Sequence, residues 1–154
     1  MVELRGEAER RYVVDMFTRI ARRYDVMNTL MTGGVHHLWR KRAVQVATDG
    51  LAGRALDVAT GTGDLALALA RHPRIDHAVG VDFLPQMLHL GRAKARARGL
   101  AGKTTLLLAD AQALPFRDGT FACVTAGFSL RNMVDPEGII GALAEMVRVA
   151  RPGG

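Results

Sequence analysis

The stretch that most limits what this chain can become is Arg54–Asp64, RALDVATGTGD. An apolar run ends in a turn holding two glycines, and Leu65-Ala-Leu-Ala-Leu-Ala-Arg follows directly as a helical pattern. Short apolar runs that feed glycine turns and then helices belong to strand–helix units on a parallel sheet. The pattern recurs. His77–Asp82 reads as a second strand, Thr104–Asp110 as a third and Phe121–Phe128 as a fourth. Asp64–Arg71 is predicted as a helix stopped near Pro73. Pro85–Arg98 follows as a helix turning Leu84, Met87, Leu88 and Gly91 inward and its arginines outward. Pro136–Ala150 closes the series, with proline at its start and Gly153-Gly154 beyond its end.

Strands alternating with helices are joined by right-handed crossovers, so the expected class is α/β, a Rossmann-like parallel sheet. The front of the chain has another texture. Val13, Met16, Phe17, Ile20, Ala21 and Tyr24 recur at helical spacing, Gly33-Gly34 marks a turn, and a second helix is predicted around His37–Ala47. Residues 1–52 therefore read as an N-terminal helical cap and residues 53–154 as the sheet core. The core stops at Pro152-Gly153-Gly154, where a glycine turn should feed another strand. The sheet thus reads as lacking its C-terminal strands, with strand four uncovered and self-association expected through its edge.

Composition narrows the function classes. Of 154 residues, 49% are hydrophobic and 23% charged, the balance of an ordinary globular domain. Cys123 is the single cysteine and cannot form an internal disulfide. No apolar run approaches the roughly 18 residues of a membrane span, and MVELRGEAERRYVVDM lacks an apolar signal core, so a cytoplasmic location is expected. The net charge of +6 comes mostly from scattered arginines, and only 5% of residues are aromatic. Basic patches with so few stacking platforms argue against nucleic-acid binding. Arg40, Lys41 and Arg42 fit peripheral contact with anionic lipid better.

Ligands of open α/β sheets sit beyond the carboxyl ends of the strands. Each predicted strand end here carries a polar or glycine signal: Gly61-Thr62-Gly63, then Asp82, then Asp110-Ala111, then Ser129-Leu130-Arg131-Asn132. The glycines let backbone approach a ligand closely. Asp82 lies 19 residues after Gly63, the spacing at which an acid takes a ribose diol. These features alone fit a nicotinamide cofactor as well as a nucleoside one, since Ala66 is a permitted replacement for the third glycine. Asp57 and Asp64 bracket the loop, which would repel a pyrophosphate and suits a cation. S-adenosyl-L-methionine carries a sulfonium and an ammonium and no phosphate. No set of residues has metal-ligand spacing, and His36-His37 read as a solvent-facing pair.

Leu56–Asp64, LDVATGTGD, resembles motif I of class I S-adenosylmethionine-dependent methyltransferases. YDVMNTLMTGGVHHLW (Tyr24–Trp39) is similar to the N-terminal signature of the ubiquinone/menaquinone biosynthesis C-methyltransferases, and ALPFRDGTF, FSLRN and RVARPGG follow in that family's order. The likeness runs from about Val13 to Gly154. It implies that Thr62 and the Gly61 and Gly63 backbone hold the amino-acid part of the cofactor. By the same likeness Asp82 takes the ribose hydroxyls, and Asp110 with Ala111 borders the adenine. Thr32 stands where the family often has serine, Gly127 where some members have a cofactor-contacting serine, and Arg151 where lysine is usual.

The implied reaction is C-methylation of a demethylated polyprenyl quinol without a metal. Arg131 is implied as partner of the phenolate, Asn132 as orienting the quinol oxygen, and Tyr24 with Asp25 and Asn28 as the lid side. Met16, Phe17, Met27, Leu30 and Met31 could line a slot for the tail or simply pack the cap. Three rivals stand beside this reading. They are a methyltransferase of the same fold with another small acceptor, a nicotinamide-dependent oxidoreductase, and a chain that only binds cofactor or a partner protein.

Overall fold

A computed structural model describes residues 35–127 and 136–154 of the chain. Tyr24, Asp25, Asn28, Thr32, Phe128, Arg131, Asn132, the helix predicted from Val13 to Tyr24 and the slot residues Met16, Phe17, Met27, Leu30 and Met31 lie outside the described residues. By internal contacts the chain divides into Met1–Leu38 and Trp39–Gly154.

The second unit is the sheet domain. After helix α1 (Val35–Ala47) come β1 (Gly53–Val58), α2 (Asp64–Ala70), β2 (Ile75–Asp82), α3 (Pro85–Ala97), β3 (Thr104–Leu108), β4 (Cys123–Ala126) and α4 (Pro136–Val149). The four strands form one sheet in the order β3-β2-β1-β4, and every pair is parallel. This is the α/β arrangement that the alternating pattern predicts. The chain winds outward from β1 in both directions, so the ends of β1 and β4 flank the point where the order reverses.

Apolar side chains explain why the sheet forms where it does. Leu56, Val58, Val79, Val81, Phe121 and Val149 make one buried cluster, while Ala55, Leu69, Ala70, Ile75 and Ala78 make another on the opposite face. Strands covered on both faces read as largely apolar runs; β2 carries one over Ala78–Val81, and in β1 only Asp57 interrupts Ala55–Val58. Val44 of α1 is buried with the second cluster, and Ala47 and Leu51 pack against it.

Two strands are shorter than predicted. β3 stops at Leu108 because the chain turns at Asp110, whose Oδ1 accepts a hydrogen bond from the Gln112 amide at 2.9 Å. β4 begins only at Cys123, because the Phe121 backbone is engaged on its other side. Its N–H donates to Val149 O at 3.0 Å and its carbonyl accepts from Arg151 N at 2.8 Å. Phe121 thereby bridges in parallel to Ala150. Over Cys123–Ala126, β4 is an edge of the sheet among the described residues.

Candidate functional site

β1 delivers Asp57 to the carboxyl end of the sheet, and the five residues after Val58 make the turn into α2. Ala59 adopts φ 51°, a left-handed conformation costly for a residue with a Cβ, followed by Gly61 at φ 58° and Gly63 at φ 79°. The turn is closed by Thr60 N–H donating to Val81 O at 2.9 Å and Gly63 N–H donating to Thr60 O at 3.0 Å. A Cβ on Gly61 would meet nothing within 4 Å, so the loop presents bare backbone to open space.

Two buried carboxylates shape this loop. Asp57 is 1% exposed and accepts from Thr60 Oγ1 at 2.5 Å and Thr125 Oγ1 at 2.9 Å. Burial pushes its pKa up to about 6, against the pull of those hydroxyls and the Ala66 amide, and neighbouring Asp82 adds to the rise. Asp82 is 6% exposed and ties the ends of β1 and β2 together. Its Oδ2 accepts from Gly61 N at 2.8 Å and its Oδ1 from Leu84 N at 2.9 Å. Burial also raises the Asp82 pKa, although three backbone amides oppose it. Each carboxylate oxygen has a second lone-pair direction, so Asp82 can still accept from a pair of adjacent hydroxyls. Asp110 and Ala111 stand just past β3, and Ala109 N–H donates to Asp82 O at 3.1 Å, which brings the three strand ends together.

Asp64 does not serve as expected. It lies 3.5 Å from Arg40, 3.2 Å from Lys94 and 3.1 Å from Arg98. Burial works to raise its pKa, but the three cations outweigh it and hold the carboxyl below its ordinary value. Its charge is answered within the protein, so Asp64 is not an anion waiting for a cationic ligand. The arginines expected to face outward along α3, Arg92, Arg96 and Arg98, are exposed, and two basic side chains also reach back to the sheet and loop. Arg92 donates to Leu106 O at 2.6 Å and Lys94 to Thr62 Oγ1 at 2.8 Å, so these side chains fasten the helix to the sheet and loop.

Sequence reasoning missed two close approaches. A Cβ on Gly80 would lie 2.7 Å from Leu106 Cδ2 and 2.8 Å from Thr60 Oγ1. At Gly91 it would lie 2.6 Å from Leu106 Cδ1 and 3.1 Å from Thr62 O. Gly80 inside an apolar run signals such an approach, and Gly91 was expected to face inward, but nothing in the sequence names either partner. No group of three or more potential metal ligands occurs among the described residues.

The chain is 50% identical over 139 residues to the demethylmenaquinone methyltransferase of Thermus thermophilus, covering 90% of this chain and 61% of that protein. It is 46% identical over 155 residues to the ubiquinone/menaquinone biosynthesis C-methyltransferase UbiE of Geobacter sulfurreducens, covering 100% of this chain and 59% of that one. The chain thus spans about three-fifths of the length of these relatives. Among solved structures, the YcgJ protein of Bacillus subtilis superposes with a TM-score of 0.67 at 26% identity, over 75% of this chain and 47% of that one. Residues 5–154 match the ubiE/COQ5 methyltransferase family, and the chain belongs to that family.

Proposed function

We propose that the protein containing this chain methylates a ring carbon of a demethylated polyprenyl quinol, using S-adenosyl-L-methionine held at the β1–β2 strand ends. One observation carries the cofactor assignment: Asp82, pinned by the Gly61 and Leu84 amides, keeps accepting capacity beside a glycine loop that opens on space. A ribose diol fits the first feature and a close-approaching ligand chain the second. Two carboxylates at Asp57 and Asp82 disfavour a pyrophosphate there. The buried Asp57 acts on a cation in the loop through space, and it shapes the loop through Thr60.

The roles of the chain's residues follow. Asp82 binds the ribose hydroxyls, Thr62 with the Gly61 and Gly63 backbone holds the amino-acid end, and Asp110 with Ala111 borders the base. Bound there, S-adenosyl-L-methionine supplies an electrophilic methyl group. Arg131 stabilises the phenolate of the acceptor, Asn132 orients its oxygen, and Tyr24 covers the pocket; these three rest on the family resemblance. Charge stabilisation of a developing phenolate in a water-poor pocket is the main demand on them. No described helix is long and apolar enough to cross a membrane. Exposed Leu38, Trp39 and Val46 on α1, beside Arg40, Lys41 and Arg42, support peripheral contact with the membrane where a prenylated substrate resides. The β4 edge supports self-association.

Calorimetric titration with S-adenosylhomocysteine, with NADH as control, tests the reading. The expected result is binding of the first alone, weakened roughly 100-fold in Asp82→Ala, because charged hydrogen bonds of about 1.5–3 kcal/mol each are lost. Equal binding of both ligands, or none of the first, would overturn it.

A further inference from the structure

The geometry points to Lys94 as a positioning residue for the cofactor's amino-acid end, which rests on the loop assignment proposed above. On α3, Gly91 and Lys94 stand three residues apart and so share a face. That face is pressed against the glycine loop: a Cβ on Gly91 would lie 3.1 Å from Thr62 O. One turn later, Lys94 Nζ donates to Thr62 Oγ1 at 2.8 Å and lies 3.2 Å from Asp64 Oδ2. An ammonium has several donors and can serve both partners at once.

Those two partners flank Gly63, which takes φ 79°, a conformation open to glycine and strained for other residues. Lys94 therefore spans the glycine and removes freedom that the residue itself would allow. Asp64 keeps Arg40 and Arg98 if Lys94 is lost, so the distinctive work of Lys94 falls on Thr62. Asp64, in turn, supplies the counter-charge that lets the Lys94 ammonium sit with its side chain only 20% exposed.

The test compares two probes in titrations of the 154-residue chain. S-adenosylhomocysteine carries the amino-acid end; 5′-methylthioadenosine keeps the nucleoside and lacks that end. Lys94→Met should weaken the first about tenfold, the scale of one charge-assisted hydrogen bond, and leave the second within about twofold. Lys94→Arg, whose fork can reach both partners, should recover most of the loss. Should Lys94→Met fail to fold, Lys94→Gln takes its place under the same criterion. Equal losses for both probes, or no loss for either, would overturn the inference while wild-type binding leaves the cofactor assignment standing. A wild-type chain that binds neither probe would overturn both together.

Discussion

Two corners of this domain are built from the same chemistry and put to different ends. At the glycine loop, one carboxylate, Asp64, is held by cations from α1 and α3. At the far corner one cation, Arg148 of α4, is held by two carboxylates and two carbonyls. It meets Glu145 Oε1 at 2.6 Å, Asp118 Oδ1 at 2.8 Å, Phe116 O at 2.8 Å and Leu114 O at 3.1 Å. Glu145 also accepts from the Leu114 amide at 2.7 Å. The Arg148 corner spends its polar groups on the connection from β3 to β4 and fixes a stretch without regular structure. The Asp64 corner fixes a loop whose backbone at Gly61 faces open space. Ion clusters of equal density thus need not mark a site; what marks one is the accessible, anchored backbone beside it.

Perturbing each corner separately sharpens that contrast. The largest effect belongs to Phe121→Ala. Phe121 is fully buried, stacks edge-on against Phe116 with ring centroids 4.9 Å apart, and lies under the Arg54 guanidinium at 5.5 Å. Its loss should cost about 4 kcal/mol in denaturant unfolding. The fraction that remains folded should bind S-adenosylhomocysteine as tightly as before.

Acid titration comes next, and here the corners have opposite signs. Burial raises Asp57 from 3.8 to about 6, so between those values the folded chain holds a proton that the unfolded chain has released. Stability should therefore fall by about 3 kcal/mol as pH rises through that window, and Asp57→Asn should flatten the fall. Asp82, also raised by burial, adds in the same direction. Glu145 is held down to about 2 from 4.5, chiefly by its hydrogen bond from Arg148. Its contribution is complete above 4.5 and is lost as pH drops toward 2, so Glu145→Gln should remove that acid-side loss. Chemical unfolding at a series of pH values reads both.

A smaller effect is expected for Gly91→Ala, whose new methyl would press on Leu106 and on the Thr62 carbonyl. Overpacking should cost about 2 kcal/mol. Unlike Phe121→Ala, it should also weaken S-adenosylhomocysteine in the folded protein, because the displaced neighbour is the loop. Smallest is Arg98→Ala. Its side chain is 36% exposed and Asp64 retains two other cations, so unfolding should shift by less than about 1 kcal/mol and ligand affinity should not change.

The sheet was readable in the sequence because strands covered on both faces leave mostly apolar runs, as in Ala78–Val81 and, interrupted only by Asp57, in Ala55–Val58. Gly61, Gly63 and Asp82 were readable for a related reason: strand ends are where an apolar run gives way to glycine or acid. Strand limits were less so, since whether Phe121 pairs inside the sheet depends on Val149 and Arg151, far along the chain. The partners of long side chains were hidden altogether. Lys94 sits in a row of basic residues that looks solvated, and its hydroxyl partner Thr62 is 32 positions away. Asp64 looked available for the same reason, because Arg40 and Arg98 reach it only once the chain is folded. Tyr24, Arg131 and Asn132 lie outside the described residues, and their roles remain proposals.

The contrast between the corners is tested most directly by following backbone amide resonances while S-adenosylhomocysteine is added. Shifts should concentrate at Gly61–Asp64, Asp82–Leu84 and Asp110–Gln112, with Leu114–Phe121 and Glu145–Val149 unchanged. Shifts centred on the Arg148 corner, or none at saturating ligand, would contradict the placement of the cofactor at the glycine loop.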